Sequence, residues 1–228
     1  MAVSIGFYRK ITDWILSCDN RKIIFRPFQV EGNPYKSRVF LVGAFPHPPL
    51  DISLDEASMF AESLVNPELF DHLYGNLTGT KENIGIQQFI RWMKITLNEN
   101  ILCTNINVLQ ADSLQHLKQL KMANRADYEK GFTIFQHLME EFQPELIILH
   151  GMEAVKQFRI QFYEHLVDYH ASIEKIQHLE GLGVFAEMRF DNGKRVRVMA
   201  CRSLVYYGKS GESFASFKNY VQKVLTSE

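Results

Sequence analysis

Two short apolar runs, each ending at a turn or a polar pair, constrain the fold of this chain more than any other feature. The first is Val39–Gly43, followed by Ala44-Phe45-Pro46, and the second is Ile101–Asn105. Apolar runs of this length that stop at Gly-x-x-Pro or at Thr-Asn are typical of parallel strands, because such strands are buried on both faces. Ligands collect where strands of this kind end. The sequence therefore predicts an α/β fold with its functional site at these strand ends.

Strand and helix patterns alternate along the rest of the chain. Apolar residues at helical spacing predict helices at residues 7–15, 53–65, 82–97, 128–142, 153–169 and 212–225. Strands are predicted at residues 38–43, 101–105, 145–151, 184–190 and 195–200, with a hairpin turn at Asp191-Asn192-Gly193. Residues 74–79 are predicted to form a turn, and residues 109–124 an irregular polar segment. The pattern favours a three-layer α/β/α sandwich around a central, mostly parallel four-stranded sheet, whose strands from Arg38, Ile101, Glu145 and Arg195 end at one cleft.

Length and composition indicate one globular domain. The chain has 228 residues, of which 46% are hydrophobic, enough to bury one core. Residues 1–228 are therefore predicted to form a single domain, with residues 1–36 as an N-terminal helix and lead-in. The formal charge of −1, from 25 Lys and Arg against 26 Asp and Glu, gives no overall attraction to nucleic acid. Any DNA contact must be local.

Cysteine usage and the lack of long apolar runs bear on the compartment. The cysteines Cys18, Cys103 and Cys201 are odd in number and far apart, which supports neither a disulfide framework nor a four-cysteine cluster. No run approaches the ~20 apolar residues of a membrane span, and residues 1–10 lack the pattern of a leader peptide. We therefore expect a cytoplasmic protein with no membrane association.

Five short motifs follow one another in a definite order. They are Gly43-Ala44-Phe45-Pro46 after a strand, Thr80-Lys81-Glu82-Asn83-Ile84 at a helix entry, Thr104-Asn105 at a strand end, the strand at 144–151 with Glu153-Ala154 behind it, and Ala200-Cys201-Arg202-Ser203 before Tyr206-Tyr207-Gly208. This order resembles the uracil-DNA glycosylase superfamily over roughly residues 38–221, most of the chain. The resemblance implies the fold of that superfamily, DNA as partner, no cofactor, and a pocket for a flipped base.

The resemblance also implies roles for individual residues. In the superfamily an Asp, Asn or Glu in the first motif positions or activates the attacking water, whereas this chain has Ala44 and Phe45 there. The superfamily's His-Pro-Ser motif supplies a His that stabilises the departing base, and Cys201 stands in its place. An Asn at the end of the next strand holds the flipped uracil. Asn105 falls at that position, with Asn107 as the alternative.

Loss of both catalytic positions leaves the reaction open. Cleavage of an N-glycosidic bond needs a group that stabilises the cationic sugar or orients water, and a donor for the departing base. A phenyl ring does neither, although Phe45 could stack on a flipped base. The side chains that could substitute are His47, Asp51, Asp55, Glu56, Glu82, Asp112 and the cation Arg202.

The predicted binding residues fall into two groups. Those expected to contact the base are Gly43, Ala44, Phe45, Pro46, Asn83 and Asn105. Those expected to contact DNA, in a loop that would enter the minor groove, are Arg202, Ser203, Tyr206, Tyr207, Lys209 and Ser210. For the two tyrosines, packing in the core is the alternative. His150 ends an apolar strand and is expected to be a satisfied core histidine, and no metal site is predicted.

Three functions remain open from the sequence. The first is an atypical DNA base glycosylase that flips a uracil-like base against Asn105 and hydrolyses it with a residue outside the usual motifs. The second is a protein on the same scaffold that binds a base, a nucleotide or a protein partner without cutting. The third is a doubly wound enzyme for small molecules, although Gly181-Leu182-Gly183-Val184 lacks the third Gly of a phosphate loop.

Overall fold

Helices and strands alternate through residues 5–16, 22–167 and 175–226, which are the residues that the computed structural model describes. The α-helices are α1 (Ile5–Ile15), α2 (Ala57–Ser63), α3 (Pro67–Thr78), α4 (Lys81–Trp92), α5 (Leu114–Ala123), α6 (Arg125–Phe142), α7 (Met152–Phe162), α8 (Ile176–Leu182) and α9 (Ala215–Thr226). The strands are β1 (Phe28–Gln29), β2 (Val39–Gly43), β3 (Ile101–Asn105), β4 (Leu146–His150), β5 (Leu166–Val167), β6 (Val184–Arg189) and β7 (Arg195–Cys201). Cys18 and the predicted helical residues 168–169 lie outside the described residues.

The chain divides into two compact units, each made from separate stretches of sequence. The first unit contains Met1–Lys36, Phe45–Thr78 and Leu102–Phe142. The second unit contains Ser37–Ala44, Gly79–Ile101 and Gln143–Glu228. The predicted first motif is therefore shared, since Gly43 and Ala44 belong to the second unit and the next two residues to the first.

The strands confirm the predicted α/β class and correct the predicted sheet. The strands form a mixed sheet of seven strands rather than a mostly parallel sheet of four. In the second unit, β4 pairs in parallel with β2 and with β7, while β6 is antiparallel to both β7 and β5. The strands that were missed, β1 and β5, have two residues each, too short to produce a recognisable alternation of apolar side chains.

The hairpin of β6 and β7 follows the prediction from its turn residues. The N–H of Phe190 donates to the carbonyl of Lys194 at 2.9 Å, and Gly193 adopts a φ of 84°. Glycine adopts positive φ without steric cost, so the Asn-Gly pair suits this turn. On its other side, β7 pairs in parallel with β4.

Two segments that were predicted to be irregular are helical. Helix α3 continues through the predicted turn at 74–79, because Phe70 and Tyr74 are four residues apart and their rings pack at 5.2 Å. Helix α5 lies within the predicted polar segment 109–124, and Ser113 caps it by accepting the N–H of His116 at 3.1 Å. Only Leu117 of α5 is buried, so the helix shows no apolar period in the sequence.

Helix α7 is shorter than predicted. It begins at Met152 and ends at Phe162, where a short helical turn at Tyr163–His165 leads directly into β5. The apolar spacing continues past Phe162 because the two residues of β5 are themselves apolar. No helix in the described part of the chain is both long enough and apolar enough to cross a membrane.

An aromatic cluster holds α4, α9 and the segment after β7 together in the second unit. The rings of Phe89 and Tyr207 lie 5.8 Å apart, and those of Tyr207 and Phe214 lie 5.3 Å apart. Phe217 of α9 lies 6.4 Å from Phe89. All four side chains are buried. This packing fixes α4 against the residues that follow β7.

Candidate functional site

Three parallel strands of the second unit end at the same edge of the sheet. His150, the last residue of β4, lies opposite Cys201, the last residue of β7, and Val42 of β2 lies opposite Leu149. The N–H of Gly151 donates to the carbonyl of Cys201 at 2.8 Å. Gly43, His150 and Cys201 therefore end their strands side by side, at the edge where ligands bind in α/β sheets.

Helix α4 begins at this edge and touches the segment after β7. Thr80 caps the helix, and its hydroxyl accepts the N–H of Asn83 at 3.1 Å. At Gly85 the helix approaches so closely that a Cβ atom would lie 1.9 Å from the carbonyl oxygen of Leu204. Only glycine permits this approach. The contact brings Glu82, in the first turn of α4, next to Ser203.

Glu82, His150 and Ser203 form a group that we call the Glu82 cluster. The hydroxyl of Ser203 donates to Oε1 of Glu82 at 3.3 Å and accepts the N–H of Val205 at 3.3 Å. Nδ1 of His150 lies 3.5 Å from the same Oε1. The side chain of His150 is 8% exposed, and its Nδ1 is buried without a hydrogen bond within the described residues. The cluster joins an acid, an imidazole and a hydroxyl at the ends of β4, β7 and the start of α4.

The expectation that His150 is a satisfied core histidine is wrong. The side chain is buried as expected, but its Nδ1 has no hydrogen-bond partner among the described residues. A buried polar atom without a partner costs about 1–3 kcal/mol, so such atoms are rare unless they have a role. The sequence signal was the position of this His at the end of an apolar strand, next to Gly151.

Arg202 holds the segment after β7 in place. Its N–H donates to Oε2 of Glu180 at 2.9 Å, and its guanidinium lies 3.3 Å from the other oxygen of that carboxylate. The guanidinium also donates to the carbonyl of Ser213 and lies 4.6 Å from the centre of the Phe214 ring. The guanidinium that was predicted to contact DNA, or to replace the superfamily's His, is therefore engaged in contacts within the protein.

Cys201, which was predicted to stand in place of the superfamily's His, is fully buried. Burial, reinforced by the nearby Glu180 carboxylate, raises the pKa of the Cys201 thiol well above its ordinary value, although Arg202 acts in the opposite direction. The thiol therefore stays protonated near neutral pH, and it is neither a nucleophile nor a cation for a departing base.

The loop residues predicted to contact DNA differ in exposure. Tyr207 is 3% exposed, packs in the aromatic cluster, and has a pKa raised to about 12 by burial. Tyr206 is 67% exposed. Lys209 and Ser210 are exposed, and the carbonyl of Ser210 accepts a hydrogen bond from Lys218 at 3.4 Å. Tyr207 therefore packs in the core, which was the alternative to DNA contact, and Tyr206 is the tyrosine that a ligand can reach.

The remaining predicted base-contacting residues of the second unit lie around the same edge. Gly43 is buried at the end of β2, and Ala44 after it is half-buried. Asn83 is half-buried in the first turn of α4, one residue after Glu82. Their backbones are fixed by a strand end and by a capped helix start.

Other predicted site residues lie in the first unit. Phe45 is half-buried, and the carbonyl of the buried Pro46 accepts the N–H of Ala111 at 3.3 Å. His47 is exposed, and Asp51 forms a surface ion pair with Lys22 at 2.7 Å. Two further carboxylates of that unit are engaged locally, because Glu56 accepts the N–H of Ser53 at 2.9 Å and Asp112 lies 3.0 Å from His116.

The two asparagines near the end of β3 have different environments. Asn105 is half-buried at the end of the strand. Asn107 is fully buried, donates from Nδ2 to the carbonyl of Tyr128 at 3.0 Å, and accepts the N–H of Leu109 at 3.0 Å. A Cβ atom on Gly131 would lie 1.9 Å from its Oδ1. Asn107 therefore serves the backbone of the first unit, which removes it as a substitute for Asn105.

Replacing these two asparagines by alanine is expected to have very different effects on stability. Asn107→Ala leaves the buried N–H of Leu109 without its acceptor and removes the bond to the carbonyl of Tyr128, so it should lower the free energy of unfolding by about 1–3 kcal/mol. Asn105→Ala should change it by less than about 0.5 kcal/mol, because its side chain is not part of this network. Urea denaturation followed by circular dichroism measures both. Equal destabilisation by the two substitutions would contradict the assignment.

No site for a metal ion is apparent in the part of the chain that the structure describes, since no three His, Cys, Asp or Glu side chains converge there. No model of a protein family matches the sequence, and no curated protein matches it.

Proposed function

We propose that this chain is a divergent member of the uracil-DNA glycosylase superfamily that binds a nucleobase of DNA at the ends of β2, β4 and β7. The observation that carries the proposal is the Glu82 cluster, with the unpartnered Nδ1 of His150 at its centre. The superfamily's three-layer α/β/α arrangement and a cytoplasmic location belong to the same proposal. The free thiols of Cys103 and Cys201 agree with a reducing compartment.

The chemistry of the Glu82 cluster suits the edge of a nucleobase. A base presents N–H donors and carbonyl or ring-nitrogen acceptors side by side. A carboxylate accepts from such donors, an imidazole donates or accepts, and a hydroxyl does both. Buried polar groups in proteins are almost always paired, so a ligand that closes the site and draws Glu82 onto Nδ1 of His150 would remove the energetic penalty of that unpaired nitrogen.

The segment after Ser203 supports DNA as the carrier of that base. Val205 and Tyr206 are exposed apolar side chains that follow the Glu82 cluster by two and three residues. Proteins that distort DNA often insert such side chains between base pairs, and aromatic rings also stack on exposed bases. Lys209, exposed in the same segment, supplies a charge for phosphate.

The replaced motif positions favour binding without hydrolysis by the superfamily's usual route. Phe45 has no atom that orients water, and the buried thiol of Cys201 offers no charge to a departing base. The second candidate function for the same site is therefore to bind a base without cleaving its glycosidic bond.

Fluorescence anisotropy with labelled oligonucleotides tests the proposal. Single- and double-stranded DNA carrying one deoxyuridine should bind, and Tyr206→Ala should weaken that binding about tenfold, since stacking of one base contributes ~1–3 kcal/mol. The matched control is Tyr163→Ala, which removes an equally exposed tyrosine after the C-terminal end of α7 and should leave the affinity unchanged. Absence of binding by the wild type to every oligonucleotide, at protein concentrations on the order of 100 μM, would refute the proposal.

A further inference from the structure

His150 occupies an environment that suits proton transfer. Its Nδ1 is the nitrogen nearest the carboxylate of Glu82, at 3.5 Å, and Ser203 holds the same carboxylate oxygen at 3.3 Å. The imidazole is buried, and its Nδ1 makes no hydrogen bond within the described residues. Because the two ring nitrogens point in different directions, a ligand that leaves Nδ1 to Glu82 would bind at Nε2.

We propose that His150 is the general base and general acid of a glycosidic-bond hydrolysis, and that Glu82 and Ser203 position it. The inference rests on the proposed function, because it requires a nucleotide bound at the same strand ends. The substrate class is a deoxynucleotide within DNA, and the co-reactant is water. His150 is then a catalytic residue, whereas Glu82 and Ser203 act on the reaction through the imidazole.

The carboxylate determines which nitrogen of His150 is available. An acid beside Nδ1 favours the tautomer that carries its proton on Nδ1, and it stabilises the cation that forms when Nε2 accepts a proton. The 3.5 Å separation is long for a hydrogen bond, but such contacts tighten when substrate closes a site. Ser203 restricts the rotation of Glu82, and the packing of Gly85 against Leu204 holds Ser203 in reach.

The proposed reaction balances without any further reagent. Nε2 of His150 takes a proton from a water molecule, whose oxygen forms a bond to C1′ of the deoxyribose. The bond between C1′ and the base nitrogen breaks, and its electron pair leaves with the base. The imidazolium then gives its proton to the departing base. The products are an abasic site and the free base, and His150 is again neutral.

This assignment supplies the function that the aligned motif positions lack. Phe45 carries no group that exchanges protons, and Cys201 is a buried thiol. The guanidinium of Arg202 is occupied by Glu180 and Ser213. The imidazole of His150, by contrast, has one nitrogen that can accept and one that can donate, and it lies at the strand ends.

The experiment measures cleavage and binding separately on the full chain. A labelled oligonucleotide with one deoxyuridine is incubated with excess protein, abasic sites are cleaved with alkali, and anisotropy gives the affinity. His150→Gln should lower the single-turnover rate by about 100-fold or more, while the affinity stays unchanged within error. Glu82→Gln should lower the rate by less. The matched controls, His178→Gln on α8 and Glu187→Gln on β6, should leave rate and affinity unchanged.

Chemical rescue separates a catalytic role from a structural one. Added imidazole should restore part of the rate to His150→Ala, which a packing defect would not allow. Wild-type binding without abasic product overturns the catalytic inference and leaves the proposed function standing, whereas absence of binding removes both. An unchanged rate in His150→Gln also overturns the inference. If His150→Gln fails to fold, Glu82→Gln is compared with Glu187→Gln. A lower rate in Glu82→Gln alone supports the inference, and equal rates overturn it.

Discussion

Gly85→Ala is expected to destabilise the protein by about 3 kcal/mol and to separate Glu82 from Ser203. The added Cβ would lie 1.9 Å from the carbonyl oxygen and 2.8 Å from the carbonyl carbon of Leu204. Both atoms belong to the backbone, so no side-chain rotation relieves the clash. Helix α4 and the segment after β7 must therefore move apart, and Ser203 precedes Leu204 directly.

The same substitution in another helix provides the control for Gly85→Ala. At Gly75 in α3 the nearest described atom to an added Cβ is Cβ of Asp71, 3.7 Å away, an ordinary contact. Gly75→Ala should therefore be neutral or stabilise the protein by up to about 1 kcal/mol, since alanine has the higher helix propensity. Urea denaturation midpoints measure both variants, and anisotropy measures the effect on the proposed DNA binding. A Gly85→Ala protein as stable as Gly75→Ala would show that the close approach is wrong.

Tyr207→Ala is expected to cost about 3–5 kcal/mol of unfolding free energy, because the ring fills the aromatic cluster of the second unit. Its ring lies 5.8 Å from that of Phe89 and 5.3 Å from that of Phe214. The matched control is Tyr206→Ala, one residue earlier and 67% exposed, which should change stability by less than about 0.5 kcal/mol. Thermal and urea unfolding measure both. Similar losses for the two tyrosines would contradict the packing.

The hydroxyl of Tyr207 also makes stability depend on alkaline pH. Burial raises the pKa of Tyr207 from 10.0 to about 12 in the folded protein, so the unfolded state releases this proton at lower pH. The stability that this group contributes is complete below pH 10 and is lost as the pH rises towards 12. Tyr207→Phe keeps the ring and should flatten this part of the profile. Tyr35, whose pKa is also raised to about 12, would retain part of the slope.

The apolar runs of the sequence predicted the central strands well. Val39–Gly43, Leu146–His150 and Arg195–Cys201 are each within two residues of the predicted bounds. Strands buried on both faces require an unbroken run of apolar residues, and such a run can be recognised directly in the sequence. Helix α5 was missed for the converse reason, since a helix that buries little beyond Leu117 needs no apolar period.

The sheet edge at which the candidate site lies could be predicted from the sequence, but the residues that meet there could not. The ends of parallel strands identified the edge at Gly43 and Cys201, because ligand sites follow from sheet topology. The approach of α4 to Leu204 depends on a helix packing against a segment more than a hundred residues away, which no local pattern encodes. Glu82 therefore appeared in the sequence as one of several acids, and His150 as a core residue.

The sequence by itself determined the α/β class, the central strands, the hairpin at Asn192-Gly193 and the edge at which these strands end. Those features arise from local hydrophobic pattern and turn chemistry, which a linear chain carries in full. The tertiary structure alone decided that Tyr207 is buried while Tyr206 is exposed, that Arg202 is held by Glu180, and that Glu82, His150 and Ser203 meet. Contacts of this kind depend on which faces of the helices and strands pack together. The residues on those faces are far apart in the sequence, so no local pattern predicts the contacts.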